Sequence, residues 1–174
     1  AYGEVFLINK PLEWTSFDVV KKVRNALRIK KVGHAGTLDP LATGLLIVCA
    51  GKMTKQIDSF QAQEKEYSGT LVLGKTTPSI DLETEFDGEY PTEHITEEIM
   101  QNALVQLTGP ILQIPPIYSA ISVGGKRLYE LARKGKTEED IEIKSREVEI
   151  KKFEIDSSEF PTIHFRIVCS KGTY

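Results

Sequence analysis

The sequence predicts an α/β (α+β) fold, and three observations carry that reading. Short apolar or alternating runs recur along the chain and read as strands: Val5-Phe6-Leu7-Ile8, Leu45–Ala50, Glu66–Leu73, Arg146–Ile155 and Thr162–Cys169. Two segments, opening at Thr15 and at Ile95, place apolar residues at helical spacing. The chain has 174 residues, 40% apolar and 27% charged, which suits a globular domain with a real core.

Taken in order, Glu4–Asn9 predicts a short buried strand broken by Lys10-Pro11. Thr15 and Asp18 form a capping-box pattern, so a helix starts near Ser16. Val19, Val20, Val23, Ala26 and Leu27 give it an inward face. Its other residues include Lys21, Lys22, Arg24 and Arg28, with Lys30 and Lys31 just beyond, and no acidic residue lies between Val19 and Leu38. Such a run is either a solvated helix face or an anchor for nucleic-acid phosphates. Leu45–Ala50 predicts a buried strand and Lys52–Phe60 a helix. Glu66–Leu73 predicts a half-buried strand with Tyr67, Gly69, Leu71 and Leu73 on one face.

Gly74–Asp81 reads as a turn rich in Thr and Ser, and from Asp81 to Glu98 the charge is entirely negative. Paired carboxylates can do glycosidase chemistry, but Gly88 and Pro91 interrupt these and no apolar frame fixes their separation, so a solvated loop is predicted. The helix that follows carries Ile99, Met100, Ala103, Leu104 and Leu107, with Gly109-Pro110 as its end. Pro115-Pro116 forbids a helix or central strand. Lys126–Lys134 predicts a short basic helix stopped by Gly135. Two strands then flank a turn at Asp156–Pro161, the second with Ile163, Phe165, Ile167 and Cys169 on one face and His164 and Arg166 on the other.

A formal net charge of −3 argues against indiscriminate nucleic-acid binding, so any RNA contact must come from a local patch. Cys49 and Cys169 make no disulfide framework, and neither has a partner at metal-ligand spacing. No apolar run approaches a membrane span and no signal-peptide pattern opens the chain. The expectation is a cytoplasmic, metal-free monomer.

Chemistry concentrates in Val32–Leu46. Gly33, Gly36 and Gly44 open conformations closed to other residues. Asp39 precedes Pro40, which pushes its backbone away from helix. One carboxylate thus stands on a stiff turn beside a basic surface, the presentation that a nucleophile or general base needs. A phosphate-cradling loop is not supported, since no Gly-Lys-Ser/Thr ends the run.

Gly33-His34-Ala35-Gly36-Thr37-Leu38-Asp39-Pro40-Leu41-Ala42-Thr43-Gly44 resembles the catalytic motif of the TruB family of pseudouridine synthases. Other stretches resemble the same family: Asn9-Lys10-Pro11 with Thr15-Ser16, Leu73-Gly74 with Thr77-Pro78-Ser79-Ile80-Asp81, and Pro115-Pro116-Ile117-Tyr118-Ser119-Ala120 with Gly125, Leu128-Tyr129 and Ala132-Arg133. Cys169–Tyr174 is a further signature, and together they span almost the whole chain. Two positions depart. Ser79 stands where the family has a second Thr, keeping a hydroxyl, and Ser122 stands where it usually has Lys, a loss that Lys126 could offset.

The resemblance implies a pseudouridine synthase catalytic fold: a mixed, mainly antiparallel sheet flanked by helices, with an RNA-clamping insertion over about 111–145. It implies that residues 1–174 are an incomplete catalytic domain, with a PUA-type domain and an Arg partner for Asp39 downstream. The implied reaction breaks the N1–C1′ bond of a flipped-out uridine, turns the base and rejoins it through C5, without cofactor or metal. Asp39 is the implied catalytic residue, with addition to C6, attack on C1′ and abstraction of a sugar proton all open. Tyr67 would stack on the uracil, Tyr174 would be a second aromatic, and His34 would wedge into the RNA loop, with Gly36, Thr37 and Leu38 lining the site. Lys21, Lys22, Arg24, Arg28, Lys30, Lys31, Lys126 and Arg127 are the expected backbone contacts. The implied substrate is the TΨC loop of tRNA. The alternatives are a guide-dependent enzyme of the dyskerin type and a non-catalytic RNA-binding fragment.

Overall fold

A computed structural model describes residues 3–119, 121–137 and 140–174. Ala120 of the Pro-Pro signature lies outside the described residues. The chain divides into two compact units, Ala1–Gln63 and Glu64–Tyr174.

The first unit runs β1 (Gly3–Lys10), α1 (Ser16–Leu27), β2 (Val32–Ala35), β3 (Gly44–Gly51), a 3-10 turn (Lys52–Gln56) and α2 (Ile57–Gln61). Its sheet has the order β1-β3-β2 with both pairs antiparallel, setting Lys10 opposite Gly44 and His34 opposite Val48. The capping box at the start of α1 is complete. The Asp18 amide donates to Thr15 Oγ1 at 3.1 Å, and the Thr15 amide donates to Asp18 Oδ2 at 3.0 Å. That fixes which residues of α1 face the sheet. Val19 and Val20 pack on Val32, Leu46, Val48 and Ala50, with Leu38 against the same cluster. Each such side chain stabilises the unit by about 1.5–3 kcal/mol.

Expectations for this unit are corrected in four places. β1 is only half-buried, with Leu7 71% exposed, because it is an outer strand with one face turned away from α1. Ala26 and Leu27 are exposed rather than inward, because Arg28 takes a left-handed cap at φ 54° and ends the helix there. Lys52–Phe60, predicted as one helix, is a 3-10 turn followed by the short α2, and Val32–Ala35, to which the sequence assigns no element, is a strand. An ideal β-carbon on Gly33 would meet Ile57 Cδ1 at 2.8 Å, so the glycine admits close packing by α2.

The second unit runs β4 (Lys65–Val72), β5 (Lys75–Thr76), β6 (Gly88–Glu89), α3 (Glu97–Gln106), β7 (Gly109–Gln113), β8 (Ser122–Val123), β9 (Lys126–Arg127), α4 (Leu128–Ala132), β10 (Arg146–Glu159) and β11 (Thr162–Cys169). The main sheet is β4-β11-β10-β7, antiparallel throughout. Val148, Ile150, Ile163 and Cys169 are buried on one face. On the other, Arg166 forks onto Glu66 at 2.7 and 2.9 Å and reaches Glu154 at 3.1 Å, as the predicted alternation of β11 requires.

Here too the details differ from expectation. Lys126 and Arg127 are not helical: Gly124 and Gly125 both take positive φ and make a two-residue turn, so Lys126 and Arg127 pair with Val123 and Ser122. The helix is confined to α4, where Leu128 and Ala132 are buried, and Gly135 stops it at φ 80° as expected. β10 continues to Glu159, leaving a turn only at Phe160-Pro161. α3 ends at Gln106, and Gly109-Pro110 begins an outer strand, where a missing N–H is tolerated. Its apolar face is less covered than predicted, with Ile99 and Leu107 exposed. β4 is largely exposed rather than half-buried. The acidic stretch is not wholly irregular, since β6 pairs with β5 and Thr76 Oγ1 donates to Asp87 Oδ1 at 2.7 Å. Ser79 uses its hydroxyl inside that turn, 2.7 Å from Thr84 Oγ1. No helix among the described residues is long and apolar enough to cross a membrane.

Candidate active site

Asp39 sits between β2 and β3, in a stretch with no helix or ladder of its own, so its main-chain polar groups need partners from elsewhere. They find them. Leu38 donates its N–H to Ser16 Oγ at 3.0 Å, and the same hydroxyl donates back to the Leu38 carbonyl at 3.1 Å. The Asp39 carbonyl accepts from Ala42 N–H at 3.0 Å, closing a turn with Pro40 at its second position. The Pro40 carbonyl accepts from Glu13 N–H at 2.8 Å and from Lys10 Nζ at 3.3 Å. The carboxylate-bearing residue itself remains exposed.

Lys10 is the anchor. It ends β1, it is completely buried, and its ammonium also donates to the carbonyls of Trp14 at 2.6 Å and Pro11 at 2.8 Å. Three carbonyls thus meet the three N–H groups of one ammonium. Burial pushes its pKa down from the ordinary lysine value, and the nearby negative charge of Asp39 pulls it back up. Glu13 holds φ 65°, a left-handed conformation for a side-chain-bearing residue, while its N–H meets Pro40. Asn9 adds a fourth tie through Oδ1, which accepts from Gly44 N–H at 3.1 Å.

The expected site residues fall in both units. His34, on β2, is half-buried and donates from Nδ1 to the Gly36 carbonyl, which orients its ring. Gly36 needs its glycine, at φ 84°. Thr37 is exposed, and Leu38 is half-buried against the core. In the second unit, Tyr67 lies on β4 opposite Ile167, and Tyr174 follows β11. Both are exposed, at 39% and 49%. Gln113 grips the Tyr174 backbone on both sides, accepting its N–H at 2.9 Å and donating to its carbonyl at 2.6 Å.

Lys21, Lys22, Arg28, Lys30 and Lys31 are exposed as expected. Arg24 differs from them. It is half-buried, its Nη2 donates to the Val32 carbonyl at 3.4 Å, and its guanidinium lies 5.9 Å from the centre of the Phe17 ring. Lys126 and Arg127 are exposed on β9. Among the described residues no group of three or more His, Cys, Asp and Glu side chains could hold a metal ion.

In the sequence, Lys10 reads only as a strand breaker and Ser16 only as a helix start, and nothing there singles out Glu13 or Gln113. A lysine directly after an apolar strand gives no sign that it is buried. The one signal is that Asn9-Lys10-Pro11 and Thr15-Ser16 both belong to recognisable family stretches.

The family profile described as TruB family pseudouridylate synthase (N terminal domain) matches residues 24–174. The chain belongs to the TruB family. A relative from Parabacteroides distasonis, tRNA pseudouridine synthase B, is 57% identical over 99% of this chain and 74% of its own length. One of the same name from Flavobacterium johnsoniae is 55% identical over 99% of this chain and 77% of its own. Among solved structures, the Cbf5-Nop10-Gar1 complex contains a chain that superposes with a TM-score of 0.70 over 98% of this chain and 40% of that one. Its identity is 24%, so it shows the shared pseudouridine synthase fold and no more. In this TruB chain, the ties from Asn9, Lys10, Glu13 and Ser16 are what mounts the loop of Asp39.

Two outcomes are expected for the mount. Lys10→Met removes, at a completely buried position, the donor shared by the Pro11, Trp14 and Pro40 carbonyls, so urea unfolding should show a loss of more than about 2 kcal/mol. Glu13→Gly removes a left-handed strain of about 1–2 kcal/mol against a smaller entropic cost, and should raise the unfolding midpoint. A lowered midpoint would show that the Glu13 side chain stabilises the turn.

Proposed function

We propose that this protein is a tRNA pseudouridine synthase, an isomerase that converts a uridine of the TΨC loop to pseudouridine, with Asp39 as the catalytic carboxylate. The observation that carries the reading is a single exposed carboxylate on a main-chain-clamped loop, in a chain 57% identical to a tRNA pseudouridine synthase B. The chemistry is redox-neutral and transfers no phosphoryl group. It asks the protein for an activated carboxylate, a place for the extruded base, and a grip on the RNA backbone.

The chain's residues divide between these tasks. Asp39 acts at the ribose or the uracil ring, aimed by its loop. Tyr67 supplies a π-face for the extruded uracil and Tyr174 a second aromatic surface. His34, with its ring oriented by Gly36, holds the RNA loop open where the uridine has left, and Gly36, Thr37 and Leu38 line the approach. Lys21, Lys22, Arg28, Lys30 and Lys31, with Lys126 and Arg127 of the second unit, neutralise phosphates. The insertion over about 111–145, which follows the start of β7 and precedes β10, is the clamp. The guide-dependent alternative rests on likeness of fold alone.

In the full-length enzyme, Asp39→Asn should lower the single-turnover rate on a tRNA transcript by more than about a thousandfold while tRNA affinity stays within about threefold. A rate within tenfold of wild type would sink the assignment of Asp39. Tritium release measured without any guide RNA separates the stand-alone reading from the guide-dependent one.

Neutralising the exposed lysines and Arg28 on and after α1 should flatten the salt dependence of tRNA binding, by about one unit of slope for each phosphate that loses its cation. Substituting Arg24 should instead cost stability, because its bond to Val32 disappears. A slope unchanged by the cluster substitution would reduce it to a solvated face.

A further inference from the structure

Ser16 carries more than a helix start. It is the first residue of α1, its hydroxyl is withdrawn from solvent (3% exposed), and it reaches across 22 positions in sequence to bond both the N–H and the C=O of Leu38. One hydroxyl filling both roles acts on Leu38 as a neighbouring strand would, where no strand is present.

The geometry follows from planar peptides. The direction of a Cα–Cβ bond is set by the two peptide planes that meet at that Cα. For Asp39 these are the Leu38–Asp39 and Asp39–Pro40 planes. The second is held from the Asp39 carbonyl by Ala42 N–H and restrained by the proline ring. The first is held by the hydroxyl of Ser16 on the Leu38 carbonyl. Ser16 itself cannot drift, because the Thr15–Asp18 capping box fixes the first turn of α1, and Val19 and Val20 on that helix are buried.

We propose that Ser16 is a positioning residue for the reaction: its paired hydrogen bonds to Leu38 set the direction of the Asp39 carboxylate toward the extruded uridine. This rests on Asp39 being the catalytic group. Ser16 touches neither RNA nor reacting atoms; it acts through the main chain of Leu38. Removing its hydroxyl lets the Leu38–Asp39 peptide rotate and misplaces the carboxylate, without altering any side chain that meets RNA.

The test compares Ser16→Ala, Ser16→Thr and Asp39→Asn in the full-length protein, with the single-turnover rate on saturating tRNA transcript, the tRNA dissociation constant and the thermal midpoint measured for each. Ser16→Ala should slow the chemical step by about 10- to 100-fold, the scale of a misplacement on the order of 1 Å. Its dissociation constant should stay within about twofold of wild type, and Ser16→Thr, which keeps a hydroxyl, should recover most of the rate whatever its midpoint. If Ser16→Ala does not fold, Ser16→Cys replaces it and should show a rate between one-hundredth and one-half of wild type, on the order expected for a weaker donor at the same place. A Ser16→Ala rate within twofold of wild type overturns the proposal, and so does a set of rates that follows the midpoints rather than the presence of the hydroxyl. A fully active Asp39→Asn would instead overturn the reading on which this one rests, so the two failures are distinguishable.

Discussion

A loop without secondary structure must still satisfy its buried main-chain groups, and in this chain that requirement shapes the loop of Asp39. The loop of Asp39 borrows its partners from the segment joining β1 to α1: an ammonium from Lys10, an amide from Glu13 and a hydroxyl from Ser16. The borrowing is reciprocal. The three carbonyls on Lys10 make burial of its charge tolerable, and one of them belongs to the motif. Two stretches about twenty to thirty residues apart in sequence thus behave as one structural piece.

The same arrangement separates rigidity from exposure. The backbone on both sides of Asp39 is pinned, while the residue itself is open to solvent. A carboxylate on a mobile loop would spend much of its time misdirected, and one buried in the core would be unreachable and driven toward protonation. Leu38 bridges the two conditions, with its side chain against the valines of α1 and its main chain on Ser16, one position before Asp39.

Much of this is legible in the sequence, for identifiable reasons. Strands with strict alternation are recognisable in kind, and for β11 in face as well, because period two leaves no freedom once Ile163 and Cys169 are inside. The capping box of α1 is legible because it is wholly local. What the sequence hides depends on partners distant in the chain. Val32–Ala35 is a strand only because β3 lies beside it, and its glycine argues for loop. Lys126 and Arg127 look helical by composition, yet two positive-φ glycines turn them into a hairpin. For the site, the motif identifies Asp39 and its neighbours, whereas the burial of Lys10 and the two-way bond of Ser16 are facts of packing that no spacing encodes.

The Asp39 loop is held in place before any RNA arrives. Native-state amide hydrogen exchange on the protein without RNA tests it most directly, at the amides of Leu38 and Ala42. Both should be protected to a degree approaching the central strand β3, because each donates to a fixed acceptor within the fold. Exchange at the rate of an open loop, with protection appearing only after tRNA is added, would contradict it and would mean that the substrate rather than Lys10, Glu13 and Ser16 builds the site.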